Sequence, residues 1–263
     1  MRKILFLISV VSLMACNTNN STKSENKVVE KAYEKPKHHS EGIDKVFEAH
    51  GGFEKWAEMK SLSYLKGEES TITNIQNRKI RLESPTQTIG FDGENVWIAP
   101  DTLDASRARF YHNLYFYFYA MPFVVGDPGV FYEDMEPREI KGKLYNGVKV
   151  SYDNGVGDSP KDNYILWMDP ETNLMEWLMY TVTFRSGEVS KRYSLIRYSE
   201  WTHVDGVTLP TKLEWYTFED GIAGEPRNEA VFENIKLSTS APADSLFEMP
   251  EDAQIAPPPP PAE

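Results

Sequence analysis

His38, His39 and His50 fall within one short window, and they are the first side chains to weigh for chemistry. A zinc centre needs three or four converging ligands, and a helix supplies them as i, i+4 pairs. His38 and His39 are adjacent instead, and His50 directly before Gly51-Gly52 reads as the close of a helix. Two carboxylate pairs, Glu68 with Glu69 and Glu133 with Asp134, have the composition for general acid–base work. In a chain with 40 acidic residues such pairs read as a solvated face. The stretch DNGVGDSPKDN at 153–163 has only the outline of a calcium loop, because Gly155 and Gly157 stand where carboxylates are needed and no glutamate closes it. It reads as a hairpin loop. Neither a Gly-x-Ser-x-Gly elbow nor a His-Glu-x-x-His pair is present. The expectation is a protein that is not an enzyme, with no catalytic residue, no metal site and no cofactor.

The one cysteine, Cys16, has a specific setting. A basic start, MRK, is followed by the apolar ILFLISVVSL and then by LMAC, the layout of a secretory signal. The apolar run, about ten to twelve residues against the roughly twenty needed, is too short to remain as a spanning helix. Leu13, Met14, Ala15 and Cys16 resemble the bacterial lipobox, in which cleavage precedes a cysteine that carries the lipid. Residues 1–15 are therefore expected to be a lipoprotein signal peptide, and residues 16–39 the lipidated Cys16 with a flexible tether too polar to fold. Asn17, with no aspartate after the cysteine, fits an outer-membrane address, and the lack of an acidic cluster just after Cys16, of the kind that exports lipoproteins to the cell surface, fits the periplasmic face. Cleavage leaves no thiol for a disulfide, a nucleophile or a zinc site. The formal charge of −12 repels phosphate backbones and anionic headgroups. No nucleic-acid partner is expected, and contact with the membrane is expected through the anchor alone.

Elements that could position a site begin at Ser40. Ile43, Val46, Phe47 and His50 fall at helical spacing, Ser40 can cap, and Gly51 with Gly52 supplies the stop. Phe53, Trp56 and Met59 mark a second short helical turn. From Ser61 the pattern changes to many short strands, separated by turn signals at Asp92-Gly93, Asn146-Gly147, Asp169-Pro170, Asp205-Gly206 and Asp220-Gly221. In TKLEWYTF, Leu213 and Trp215 oppose Lys212 and Glu214, so one face is apolar and needs a cover. The expected fold is mainly β: a strongly curved antiparallel sheet, or half-barrel, over a helical lid, with a short N-terminal helical element. The tail from 251 to 263, ending in a proline run, is expected to be disordered.

The cover is sought in HNLYFYFYAMPFVV, residues 112–125. Its pattern admits a strand or a helix; the length of about fifteen residues, from a cap at Ser106 to a stop before Pro122, favours a helix. Apolar on nearly every side, that helix should be buried. Arg107 and Arg109 flank it and could meet an anionic headgroup.

The lipobox, AHGGFEKW, FDGENVW, FYFYAMPF, YILWMDPETNLMEW, VDGVTLPTKLEWY and LFEMP together resemble a family of uncharacterised bacterial lipoproteins, similar in outline to the lipoprotein-carrier (LolA/LolB-like) fold. The resemblance implies one domain over residues 40–250, in which a curved sheet wraps a helical lid around an apolar cavity. It implies cavity lining by Phe110, Leu114, Phe116, Tyr117, Phe118, Met121 and Phe123 from the lid. From the sheet it implies Trp97, Trp167, Trp177 and Met179. The expected ligand is a hydrophobic small molecule or lipid, including the acyl part of a lipoprotein. Those carriers are soluble shuttles, whereas Cys16 would tether this chain as a static binder or acceptor. The alternative is that the same aromatics fill a closed core, in a structural or protein-interaction module of the outer membrane.

Overall fold

The computed structural model describes residues 40–152, 162–183 and 192–258. The readings made for Cys16, the tether, His38, His39, most of the 153–163 loop and the end of the proline tail lie outside the described residues.

Helix α1 (Glu41–Ala49) starts where Ser40 Oγ accepts the Ile43 N–H at 3.3 Å. Its face of Ile43, Val46 and Phe47 is buried. Gly51 ends it at φ +103, and a Cβ there would lie 2.1 Å from the Gly206 carbonyl oxygen, so the turn requires glycine. Helix α2 (Phe53–Glu58) buries Phe53 and Trp56.

Five short strands follow: β1 (Ser61–Lys66), β2 (Glu69–Asn74), β3 (Ile80–Glu83), β4 (Thr88–Phe91) and β5 (Val96–Ala99). The aromatic segment comes next as a 3-10 turn at Ala105–Arg107 and three short helices, α3 (Ala108–Tyr111), α4 (Leu114–Tyr119) and α5 (Met121–Val124). Then come β6 (Val130–Ile140), β7 (Lys143–Tyr152), β8 (Tyr164–Met168), β9 (Met175–Tyr180), β10 (Ser194–Val204), β11 (Val207–Glu219), β12 (Ile222–Val231), β13 (Glu233–Ser238) and β14 (Gln254–Ile255).

These strands form two antiparallel seven-stranded sheets. The first runs β13-β1-β2-β3-β4-β5-β14 and the second β12-β11-β10-β9-β8-β7-β6. Asp205-Gly206 and Asp220-Gly221 turn the long hairpins of the second sheet with positive φ at both residues, the conformation that matches strand twist. Only Phe232 separates β12 from β13, so the chain passes directly from the edge of one sheet to the edge of the other. Phe232 is buried, and its N–H donates to the Thr211 carbonyl at 2.8 Å. Neither sheet closes into a barrel. The protein is mainly β with few helices, as the strand pattern predicts, and its main core gathers side chains from both sheets and from the helices.

Three details differ from the sequence reading. The lid is not one helix. Asp104, not Ser106, caps its first turn, accepting the Ser106 N–H at 2.9 Å. Pro122 sits in the first turn of α5, where a missing N–H costs nothing, so it begins a helix where a stop was expected. Asn146-Gly147 lies inside β7, because the bare Gly147 backbone makes room for the Trp167 ring, 2.5 Å from where a Cβ would stand. The fold also continues past residue 250, where Gln254 and Ile255 pair with Ile98 and Trp97.

Candidate functional site

Facing strands with large inward side chains, and helices too short to fill the space between them, leave a hollow of about 610 Å³. Phe116 lies on the side of the first sheet, with the Arg78 guanidinium 5.2 Å above its ring. Phe118 faces the second sheet, edge-on to Tyr180 at 4.8 Å and to Trp215 at 6.0 Å. Tyr115 is set beneath Lys66, whose Nζ lies 4.2 Å over the ring. Lys66 also donates to the Tyr111 hydroxyl at 3.1 Å, and that hydroxyl donates to Glu69. Through this chain β2 holds the helical segment.

Six of the predicted lining residues wall the hollow: Phe110, Leu114, Phe116, Tyr117, Phe118 and Met121. Arg109 is in the wall as well, whereas Arg107 is exposed in the 3-10 turn and does not reach it. Five residues sit elsewhere. Phe123 is fully buried, stacked on Trp56 at 4.5 Å and 6°, and so ties α5 to α2. Trp97 alternates with Val96 along β5, so Val96 lines the hollow while the Trp97 indole lies against Gly90 and donates to the Phe247 carbonyl at 3.1 Å. Trp167, Trp177 and Met179 belong to a second cluster with Tyr145, Leu195 and Tyr216. The hairpin end of β6 and β7 reaches across to that of β11 and β12: Arg138 donates to the Gly221 carbonyl at 2.6 Å and Lys141 to that of Gly224 at 2.8 Å.

Sequence reasoning missed Thr73, Ile80, Phe91 and Val96 in the first sheet, Arg78 in the turn between β2 and β3, and Tyr152, Tyr164, Tyr180 and Trp215 in the second sheet. In a strand such as YILWM every residue is apolar or aromatic, so alternation alone gives no inward face. Trp215 was readable, since its neighbours Lys212 and Glu214 are charged.

A few polar groups interrupt the apolar wall. Arg78 Nη2 holds Asp127 at 2.7 and 2.5 Å, while Arg78 Nη1 is buried with no partner among the described residues. Thr73, 1% exposed, also has a hydroxyl with no partner among the described residues. Burial pushes the Asp127 carboxyl up, against the opposing pull of Arg78. Burial likewise raises Asp162, whose Oδ1 accepts the Thr183 N–H at 2.7 Å, and raises the Tyr152 and Tyr164 phenols.

None of the carboxylates weighed for acid–base work lines this hollow. Glu69 is engaged by Lys66 and Tyr111, Glu133 lies 3.5 Å from Lys149, and Asp134 accepts from Ser40 Oγ. His50 is buried between Thr208 and Met175. Among the described residues no three His, Cys, Asp or Glu side chains converge as metal ligands, and no helix is long and apolar enough to cross a membrane. What the arrangement can do is enclose an apolar body and offer it a small number of hydrogen-bonding groups.

No curated protein matches the chain. Several solved structures are similar to it. A LolA superfamily protein from Nitrosomonas europaea shares 12% identity over 72% of this chain and 87% of its own, with a TM-score of 0.43. A DUF1329 family protein from Desulfovibrio piger shares 11% over 79% and 95%, with a TM-score of 0.44. A domain described as an outer membrane lipoprotein-sorting protein from Vibrio parahaemolyticus shares 5% over 77% and 96%, with a TM-score of 0.40. Residues 94–202, which run from just before β5 through the aromatic helices and well into the second sheet, match the model of a family of unknown function, DUF6503.

Proposed function

We propose that this chain is a lipid-anchored envelope protein, held through Cys16 on the periplasmic side of the outer membrane, that binds an apolar ligand between its sheets. The hollow of about 610 Å³ carries the reading. Pockets for one small molecule run roughly 300–1,000 Å³ and are mostly apolar with a few placed polar groups. A closed core packs to crystal-like density and leaves no space of this size. Binding and release need no covalent step, because apolar burial of roughly 25 cal/mol per Å² supplies the affinity. The ligand is a lipid or the acyl portion of a lipoprotein.

Native mass spectrometry of the whole chain carrying Cys16→Ser, purified without detergent from cells with normal membranes, tests this. A reproducible added mass that extracts as lipid is the expected result. A bare protein mass that also takes up no lipid from vesicles returns the aromatic residues to the role of a core.

A further inference from the structure

A ligand must enter the hollow somewhere, and exposure marks the place. Of the residues in its wall, Tyr117, Val182, Arg227 and Asn228 are exposed, so the mouth lies between α4, the chain just past β9, and β12. Arg227 owes its place there to a β-bulge: Trp215 pairs with Asn228 and Tyr216 with Pro226, which leaves Arg227 as the extra residue beside Trp215. A bulge of this kind re-aims a side chain. Trp215 Nε1 donates to the Tyr180 hydroxyl at 3.2 Å, and both residues line the hollow. Burial raises the Tyr180 phenol, and the Arg227 charge is among the influences that draw it back, so the guanidinium stands within electrostatic reach of the wall.

In a chain with 40 acidic residues against 28 basic, an arginine has many carboxylates to choose from. Arg227 nevertheless makes no hydrogen bond or ion pair among the described residues. The nearest carboxylates along β12 are engaged elsewhere, Glu225 at 3.6 Å from Lys141 and Glu229 at 3.0 Å from Lys212. A positive charge with no carboxylate on it therefore stands at the exposed end of an aromatic hollow.

Building on the binding reading above, we infer that the ligand is an amphiphile whose anionic head, a carboxylate or a phosphate, sits at this mouth on Arg227 while its chain lies inward against Phe118, Tyr180 and Trp215. The planar guanidinium can hold two oxygens of either group. Because the contact is made at the surface, it fixes which way round the ligand lies and adds modestly to an affinity that the apolar chain supplies.

The test measures direct binding of dodecanoate, dodecyl phosphate and 1-dodecanol, which share a chain and differ in the head, at pH 8 to the whole chain carrying Cys16→Ser. At low salt at least one anion should bind about fivefold more tightly than the alcohol, and the advantage should fade as salt screens the contact. Which anion gains more tells a fatty acid from a phosphate-bearing lipid. Arg227→Gln, at an exposed site where no hydrogen bond or ion pair is lost, should remove the advantage and leave dodecanol binding as before. Arg107→Gln, outside the hollow, should retain it. Binding of both anions no tighter than the alcohol overturns the mouth site and leaves the apolar hollow standing. An advantage that survives Arg227→Gln, or that is lost equally in Arg107→Gln, also overturns it. Binding of none of the amphiphiles overturns the mouth site and the binding reading together.

Discussion

The Tyr198 hydroxyl donates to the Phe118 carbonyl at 2.7 Å, and both residues are buried. One side chain from the middle of the second sheet thereby fixes the end of α4, where the Phe118 carbonyl otherwise meets only the N–H of the cap residue Ala120. Removing the donor leaves that buried acceptor with the Ala120 N–H alone. Tyr198→Phe should cost about 1–3 kcal/mol in urea denaturation. An unchanged midpoint would mean that packing alone places the aromatic segment.

His50 gives a pH dependence whose sign follows from its partners. With Thr208 O at 2.9 Å from Nδ1 and the Met175 N–H donating to Nε2 at 3.1 Å, the ring is neutral with its proton on Nδ1. Burial lowers its pKa from 6.5 to about 4. The unfolded chain therefore takes up the proton first. Stability is complete above about pH 6.5, falls as the pH drops to about 4, and levels off below, a total of roughly 3 kcal/mol. Stability measured from pH 8 to 4 should lose much of this slope in His50→Gln. Identical slopes in the two proteins would place the proton uptake elsewhere.

Thr73→Val isolates what one buried hydroxyl contributes to stability. Because Thr73 Oγ1 is buried with no partner among the described residues, exchanging the hydroxyl for a methyl should leave the protein as stable or raise its stability by about 1 kcal/mol. A loss of more than about 1 kcal/mol by thermal or urea denaturation would show that the hydroxyl has a structural partner.

How much of this was legible in the sequence depends on which signal carried it. Ser40, Gly51 and the apolar spacing of Ile43, Val46 and Phe47 mark α1 because caps and stops act locally. Asp205-Gly206 and Asp220-Gly221 mark hairpins for the same reason. Face is different. Tyr164 lines the hollow while its neighbours Ile165 and Trp167 go to the opposite cluster, and only the pairing of β8 with β7 and β9 decides which is which. Trp97 was misplaced for the same reason, one step along β5 from Val96. Arg78 and Asp127, 49 positions apart in sequence, meet only through the tertiary fold.

The most direct test of the hollow is uptake of an uncharged naphthylamine fluorophore by the unsubstituted protein and two variants. Leu114 stands in the wall of the hollow and Met179 in the separate cluster. The expected result is one fluorophore per chain, lost by about tenfold or more in Leu114→Trp, which fills the space, and unchanged in Met179→Leu. Uptake by Leu114→Trp equal to that of the unsubstituted protein, or no uptake by either, would contradict the claim that this chain binds its ligand between the sheets.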